Sequence, residues 1–253
     1  MPENTSTTRF EQTTELTAES PTLIEGLPGL GMVASIAVDQ ITTQLELQQH
    51  GRIVSEDFPP VAAFNDGRVR DSVRVYAGPD PAIMTLQSDL PIPPTAFESL
   101  SQCVLNDLAA EFDRAVLLAG FPAESEDDIG DVVGVATTDE LETELGEAGI
   151  TLAEGSGVVG GITGALLAEC YYGDVPAAIL IVRSNPYIPD PAAARAVIEN
   201  ALEPLVEFDI DTQELLEQAE EIRQRKQQVA EQLRQYQQQQ QEREQPQTPS
   251  MYQ

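Results

Sequence analysis

Six short runs rich in apolar and β-branched residues recur along the chain: TLIEG (22–26), VRVYAG (73–78), AIMTLQS (82–88), AVLLAGF (115–121), VVGVAT (132–137) and AAILIVR (177–183). Residues 116–119 and 178–182 are apolar at consecutive positions, the pattern of strands covered by helices on both faces. Helical spacing fills the intervals at 30–45, 94–111, 138–148, 158–171 and 190–202. The last of these is introduced by Pro189, Asp190 and Pro191. One connection differs, because Gly78, Pro79, Asp80 and Pro81 make a turn and join 73–78 to 82–88 as a hairpin. This order predicts an α/β fold, a mostly parallel sheet held between two helix layers, over residues 20–210. Residues 1–19 read as a disordered acidic N-terminal tail, since no apolar period runs through them.

The pattern changes after Pro204. From Thr212 to Gln245 there is neither Gly nor Pro, and Leu215, Ala219, Ile222, Lys226, Val229, Leu233 and Tyr236 recur at alternating steps of four and three. That seam predicts a coiled-coil helix over 211–245, capped by Asp211 or Thr212, through which copies associate as a homo-oligomer. Lys226 at a seam position is the kind of polar residue that fixes register and subunit number. The competing expectation is a single long helix lying on its own domain. Pro246 and Pro249 end any helix and leave 246–253 as a flexible tail.

Charge adds a physical condition to this outline. Asp and Glu number 43 against 13 Lys and Arg, a formal net charge of -30, and Lys226 is the only lysine. Self-repulsion of that size is relieved at about 1 M salt, where the screening length falls to roughly 3 Å. A halophilic origin is therefore expected, and with it a melting temperature that rises from dilute buffer to molar KCl; equal melting in the two would refute it. No cluster of Lys and Arg is available to release counterions, so nucleic acid is not an expected partner. Nor is a membrane, because no apolar stretch is long enough to span one, and the N-terminus lacks the basic and apolar regions of a signal peptide. A soluble, cytoplasmic protein is expected. Cys103, Cys170 and His50 are too few for a disulfide framework or a Cys/His metal site, and no cofactor is predicted.

Two motifs invite a chemical reading. GSGVVG (155–160) fits G-x-G-x-x-G, and GLPGLG (26–31) lies between a strand and a helix, so Gly29, Gly31, Gly155, Gly157 and Gly160 are candidate anion contacts. Against a dinucleotide site, the strand after the first motif ends in Arg183, Ser184 and Asn185, where an acidic residue is wanted. No Lys-Ser/Thr pair follows, which removes the P-loop reading. The only histidine lies in the polar LQQHGR segment, and Glu124, Glu126, Asp127 and Asp128 sit in a Gly/Pro-flanked loop, so no catalytic residue is proposed.

Four stretches, PTLIEGLPGLGMVASIAVDQI, LAGF, GSGVVGGITGALL and YYGDVPAAILIVRSNPYIPDPAAARAVIENALEPL, resemble the archaeal proteins of the proteasome assembly chaperone family over about residues 20–210. The resemblance implies a three-layer α/β/α domain similar in shape to nucleoside phosphorylases, without their catalytic constellation, and binding to the α-subunits of the proteasome core. Members that engage the proteasome carry a terminal hydrophobic residue, a tyrosine and any last residue; Met251, Tyr252 and Gln253 match this position by position. Such a tail would bury Met251 and the Tyr252 ring while its carboxylate meets a lysine between adjacent α-subunits. The gross gain is about 5 to 9 kcal/mol before the cost of ordering the tail. One tail then binds weakly and several gathered on one oligomer bind well. Assembly chaperone and ATP-independent activator both remain open. A nucleoside- or phosphate-utilising enzyme on the same kind of fold, with the glycine turns as an anion cradle, is the alternative.

Overall fold

A computed structural model describes residues 8–225 and residue 228. Eleven strands are present among them: β1 (Thr8–Gln12), β2 (Thr22–Gly26), β3 (Gln48–Ser55), β4 (Ala63–Asn65), β5 (Arg68–Arg70), β6 (Val73–Pro79), β7 (Ala82–Ser88), β8 (Arg114–Pro122), β9 (Val132–Ala136), β10 (Thr151–Leu152) and β11 (Ala177–Ser184). The helices are α1 (Val33–Gln44), α2 (Phe97–Cys103, continued by the π-helical turn Val104–Leu108), α3 (Asp139–Glu147), α4 (Gly161–Tyr172), α5 (Pro191–Val197, continued through Ile198–Leu202) and α6 (Glu203–Val206). Residues 213–225 are also helical.

Nine strands form one sheet in the order β1-β3-β6-β7-β2-β8-β11-β9-β10, and β4 with β5 makes a separate ribbon. Its centre, β7-β2-β8-β11, is parallel. The pairs β1-β3, β3-β6, β6-β7 and β9-β11 are antiparallel, so the sheet is mixed rather than mostly parallel. Alternation along the central strands divides the core in two. Ile24, Val116, Leu118, Ala178, Leu180 and Val182 face α1, α3 and α5, while Leu23, Ala115, Leu117, Ala177 and Ile179 face α2 and α4. Three layers result, as the double-sided apolar runs require. Cys103 and Cys170 are buried on the α2/α4 side. Burial raises both thiols above their ordinary range, that of Cys170 to about 11, so they behave as small apolar residues.

The N-terminal segment departs from expectation. Residues 8–12, read from sequence as disordered tail, are an edge strand paired antiparallel with β3. No hydrophobic period announces β1 because polar bonds hold it. Phe10 N donates to Asp107 Oδ2 (3.0 Å), and Thr13 N and Thr14 N donate to the His50 carbonyl (2.8 and 3.0 Å). The buried His50 ring meets Thr14 O through Nδ1 (2.8 Å) and Glu111 Oε2 through Nε2 (2.7 Å), tying the segment to β3 and to the end of α2. Gly51 leaves room for the Phe10 ring, which a Cβ there would meet at 2.2 Å. The polar run at 48–55 is thus a strand for reasons of partnership rather than hydrophobicity.

The start of the seam also differs from the coiled-coil expectation. Leu215 is buried in the α1/α5 core. Gln40 Nε2 donates to Asp211 O (2.9 Å), and Arg195 Nε donates to Thr212 Oγ1 (3.3 Å), fixing the helix base. Ala219 and Ile222 are half-buried and line one shallow crevice with Ile129, Ile188 and Pro189. These three seam residues therefore pack on their own domain, because the helix runs antiparallel to α5 and needs the same apolar stripe to cover it. Lys226, Val229, Leu233 and Tyr236 lie outside the described residues, as do Met251, Tyr252 and Gln253.

Candidate functional site

Parallel strands put their carboxyl ends at one edge, where open α/β sheets hold ligands. Here β2, β7, β8 and β11 all end at that edge. Strand β3, antiparallel to β6, which is itself antiparallel to β7, ends there as well.

The 26–31 turn enters helix α1 at this edge through Gly31 (φ 66°) and Met32 (φ 51°), both left-handed. It packs down onto the sheet. A Cβ on Gly120 would lie 2.1 Å from Leu30 O, and one on Gly31 would lie 2.8 Å from Ser184 Oγ and 3.1 Å from Asn185 O. Asp190 N donates to Gly31 O (2.8 Å), closing the turn against the start of α5. Its own chain thus fills the space a side chain would need at Gly31, while Gly29 faces open space. Gly155, Gly157 and Gly160 lie in the connection from β10 to α4, where a side chain at any of the three would meet nothing within 4 Å. The two glycine motifs have separate duties, close packing for the first and an open loop for the second.

The most deeply enclosed titratable group beneath this edge is Glu25, and its position inside the apolar run 22–26 gave no sign of it. Glu25 is fully buried, and its carboxylate accepts from Leu27 N (2.8 Å), Leu118 N (3.3 Å) and Thr163 Oγ1 (3.3 Å). It ties β2 and β8 to the first turn of α4. Burial raises its pKa from 4.5 to about 7, with the three hydrogen bonds opposing the rise. A carboxyl whose native value exceeds its unfolded value weakens the fold as pH rises, here between about 4.5 and about 7. Glu25→Gln is therefore expected to gain about 2 to 3 kcal/mol relative to wild type between about pH 5 and about pH 8, measured by denaturant unfolding in molar salt. A constant difference across that range would refute the assignment. Among the described residues no His, Cys or second carboxylate is hydrogen-bonded to Glu25, whose three bonds tie β2, β8 and α4 together. Among the described residues no group of three His, Cys, Asp or Glu could hold a metal ion.

What the edge offers to solvent is apolar. Met32 rises from the 26–31 turn, Phe121 ends β8 with Arg183 stacked on its ring (4.9 Å), Tyr187 follows β11, and Val158 precedes α4. The connection between β3 and β6 adds Val61, Phe64 and Val69. Seven of the ten large apolar side chains exposed among the described residues therefore stand on connections at one edge of the sheet. Met, Phe, Tyr and Arg are the residue types that dominate the cores of protein interfaces. The helix at 213–225 climbs toward the same edge, since its base contacts the middle of α1 and its later turns contact Ile188 and Pro189.

Solved structures share this α/β/α architecture. Pyrococcus furiosus PbaA, an archaeal homolog of proteasome-assembly chaperone, superposes with a TM-score of 0.79 at 24% identity over 93% of this chain and 97% of that one. Pyrococcus furiosus PbaB, an archaeal proteasome activator, gives 0.79 at 20% identity over 89% and 99%. An uncharacterized protein of Methanocaldococcus jannaschii is 28% identical over 223 residues, 88% of this chain and 90% of that one. The PAC2 family model matches residues 23–230, and the chain belongs to the PAC2 family.

Proposed function

We propose that this chain is a non-enzymatic, proteasome-binding protein, an assembly chaperone or ATP-independent activator. It engages the α-ring of the core particle by inserting Met251, Tyr252 and Gln253 between α-subunits. The observation that carries the reading is the helix at 213–225, which is seated on the domain through Leu215 and directed toward the apolar edge. Family membership and the likeness to PbaA and PbaB agree with it. Avidity is the reason for self-association: gathering several tails on one particle raises a weak single-tail affinity by orders of magnitude. Of the seam, Lys226, Val229, Leu233 and Tyr236 are left for contact between copies once Leu215, Ala219 and Ile222 are used within the domain.

The competing enzyme reading needs an anion cradle at one of the two glycine turns, of which 26–31 is packed against Gly120 and Ser184 and 155–160 is an open loop. No described helix is long and apolar enough to cross a membrane. Incubation with separate α- and β-subunits, and separately with finished core particles, tests the proposal and separates its two forms. Faster assembly identifies a chaperone and faster peptide hydrolysis an activator; neither effect, together with no α-subunit capture, would refute both.

A further inference from the structure

His50 owes its place to a break in a strand ladder. Strand β3 pairs with β6 through Gln49 and again through Gly51, so His50 is the extra residue of a bulge, a device that re-aims a side chain. Its ring is buried, with the Phe10 ring beside it at 5.4 Å between centroids. Nδ1 lies 2.8 Å from Thr14 O, and Nε2 lies 2.7 Å from Glu111 Oε2. Both partners are acceptors: a backbone carbonyl has no proton to give, and neither has an ionised carboxylate. A neutral imidazole carries one N–H, so it would leave its other nitrogen facing an oxygen across a short buried contact. The imidazolium supplies both protons.

The surrounding charges favour that form. On the face where the ring lies, the continuation of α2 brings Glu111, Asp107 and the Cys103 thiol, which donates to Asp107, and the exposed Glu15 follows Thr14. Among the described residues His50 is the only cationic group bonded to Glu111. The charged and phenolic groups of the neighbouring strands, Arg9, Glu11, Arg52, Arg74 and Tyr76, lie on the opposite face of the sheet and are paired there. The ring joins three parts of the chain, since the same residue's carbonyl accepts from Thr13 N and Thr14 N while its side chain reaches Thr14 O and Glu111. We infer that His50 is a proton-held latch: residues 8–14 stay paired to β3 while the ring carries both protons and are released when one is lost. Loss of either proton turns a hydrogen bond into a contact between two lone pairs. Opening bares the outer edge of β3 and the place of the Phe10 ring over Gly51. The latch is thus closed on the acid side and opens as the pH rises.

Nuclear magnetic resonance tests it on the full chain in molar KCl. His50 is the only histidine, so its ring nitrogens need no assignment, and both are expected to be protonated at about pH 6. Hydrogen-exchange protection of the Thr13 and Thr14 amides, corrected for intrinsic exchange and referred to the Ile179 amide of β11, should fall at least about tenfold from about pH 6 to about pH 9. Glu111→Gln separates a latch from a merely structural bond. Its amide donates to Nε2 and leaves a neutral ring to donate from Nδ1 to Thr14 O, so the protection should be the same at both pH values. Glu111 is half-buried at the end of α2, outside the two apolar cores, and the variant folds. A ring with one protonated nitrogen at the lower pH, no fall in the wild type, or an equal fall in the variant would each overturn the proposal.

Discussion

Deleting Met251, Tyr252 and Gln253 is expected to abolish capture of isolated proteasome α-subunits while leaving the circular dichroism spectrum and the oligomeric mass as they are. Tyr252→Ala alone should weaken each contact by about 2 to 3 kcal/mol, the worth of one buried aromatic side chain and its polar handle, or roughly 30- to 150-fold per site. Because the proposed binding is multivalent, the loss multiplies across the tails of one particle, and a pull-down at micromolar concentration should register none. Full retention of α-subunits by either variant would end the tail reading.

Gly120→Ala is expected to be among the most damaging single substitutions in the domain. The added Cβ would sit 2.1 Å from the backbone oxygen of Leu30 and 3.1 Å from Ser184 Oγ, and the first of these cannot rotate away as a side chain would. Either β8 or the 26–31 turn must move, and the turn is held by the hydrogen bond from Asp190 N to Gly31 O. A cost of at least about 3 kcal/mol follows, equivalent to a fall in melting temperature of roughly 6 to 12 °C for a chain of this length. A scanning calorimetry shift under about 2 °C would show that the turn is softer than its packing indicates. Gly29→Ala is the control, because a Cβ there meets nothing within 4 Å.

The central fold was legible because its signal is hydrophobic. Strands β2 and β7 and the helices α1, α3 and α4 fall close to where the apolar periods place them, and Pro189, Asp190 and Pro191 announce α5, with Asp190 accepting from Ala193 N. The missed strands β1 and β3 are held by backbone pairing, the His50 ring and the fit of Phe10 over Gly51, none of which leaves a periodic trace. Their absence from the sequence outline is also why the sheet looked mostly parallel: both belong to its antiparallel half. The seam at 215–222 shows the reverse failure. A stripe at spacings of three and four reports an apolar helix face without saying whose surface it meets, and Leu215, Ala219 and Ile222 meet their own domain. Glu25 was hidden by its neighbours, since a single acid in an apolar strand looks the same whether it is wet or buried. The exposed edge was invisible for a simpler reason: Met32, Phe64, Phe121 and Tyr187 come from four separate connections, and only the sheet order brings these to one side.

The seating of Leu215 inside the α1/α5 layer has a mechanical consequence. Thr212 and Asp211 are bonded to Arg195 and Gln40, so no loose hinge separates the helix from the sheet. Tension applied from beyond residue 225 would travel through that joint into α1 and α5, two of the three helices that cover half of the core, and the domain would feel the tug as a load on its own packing.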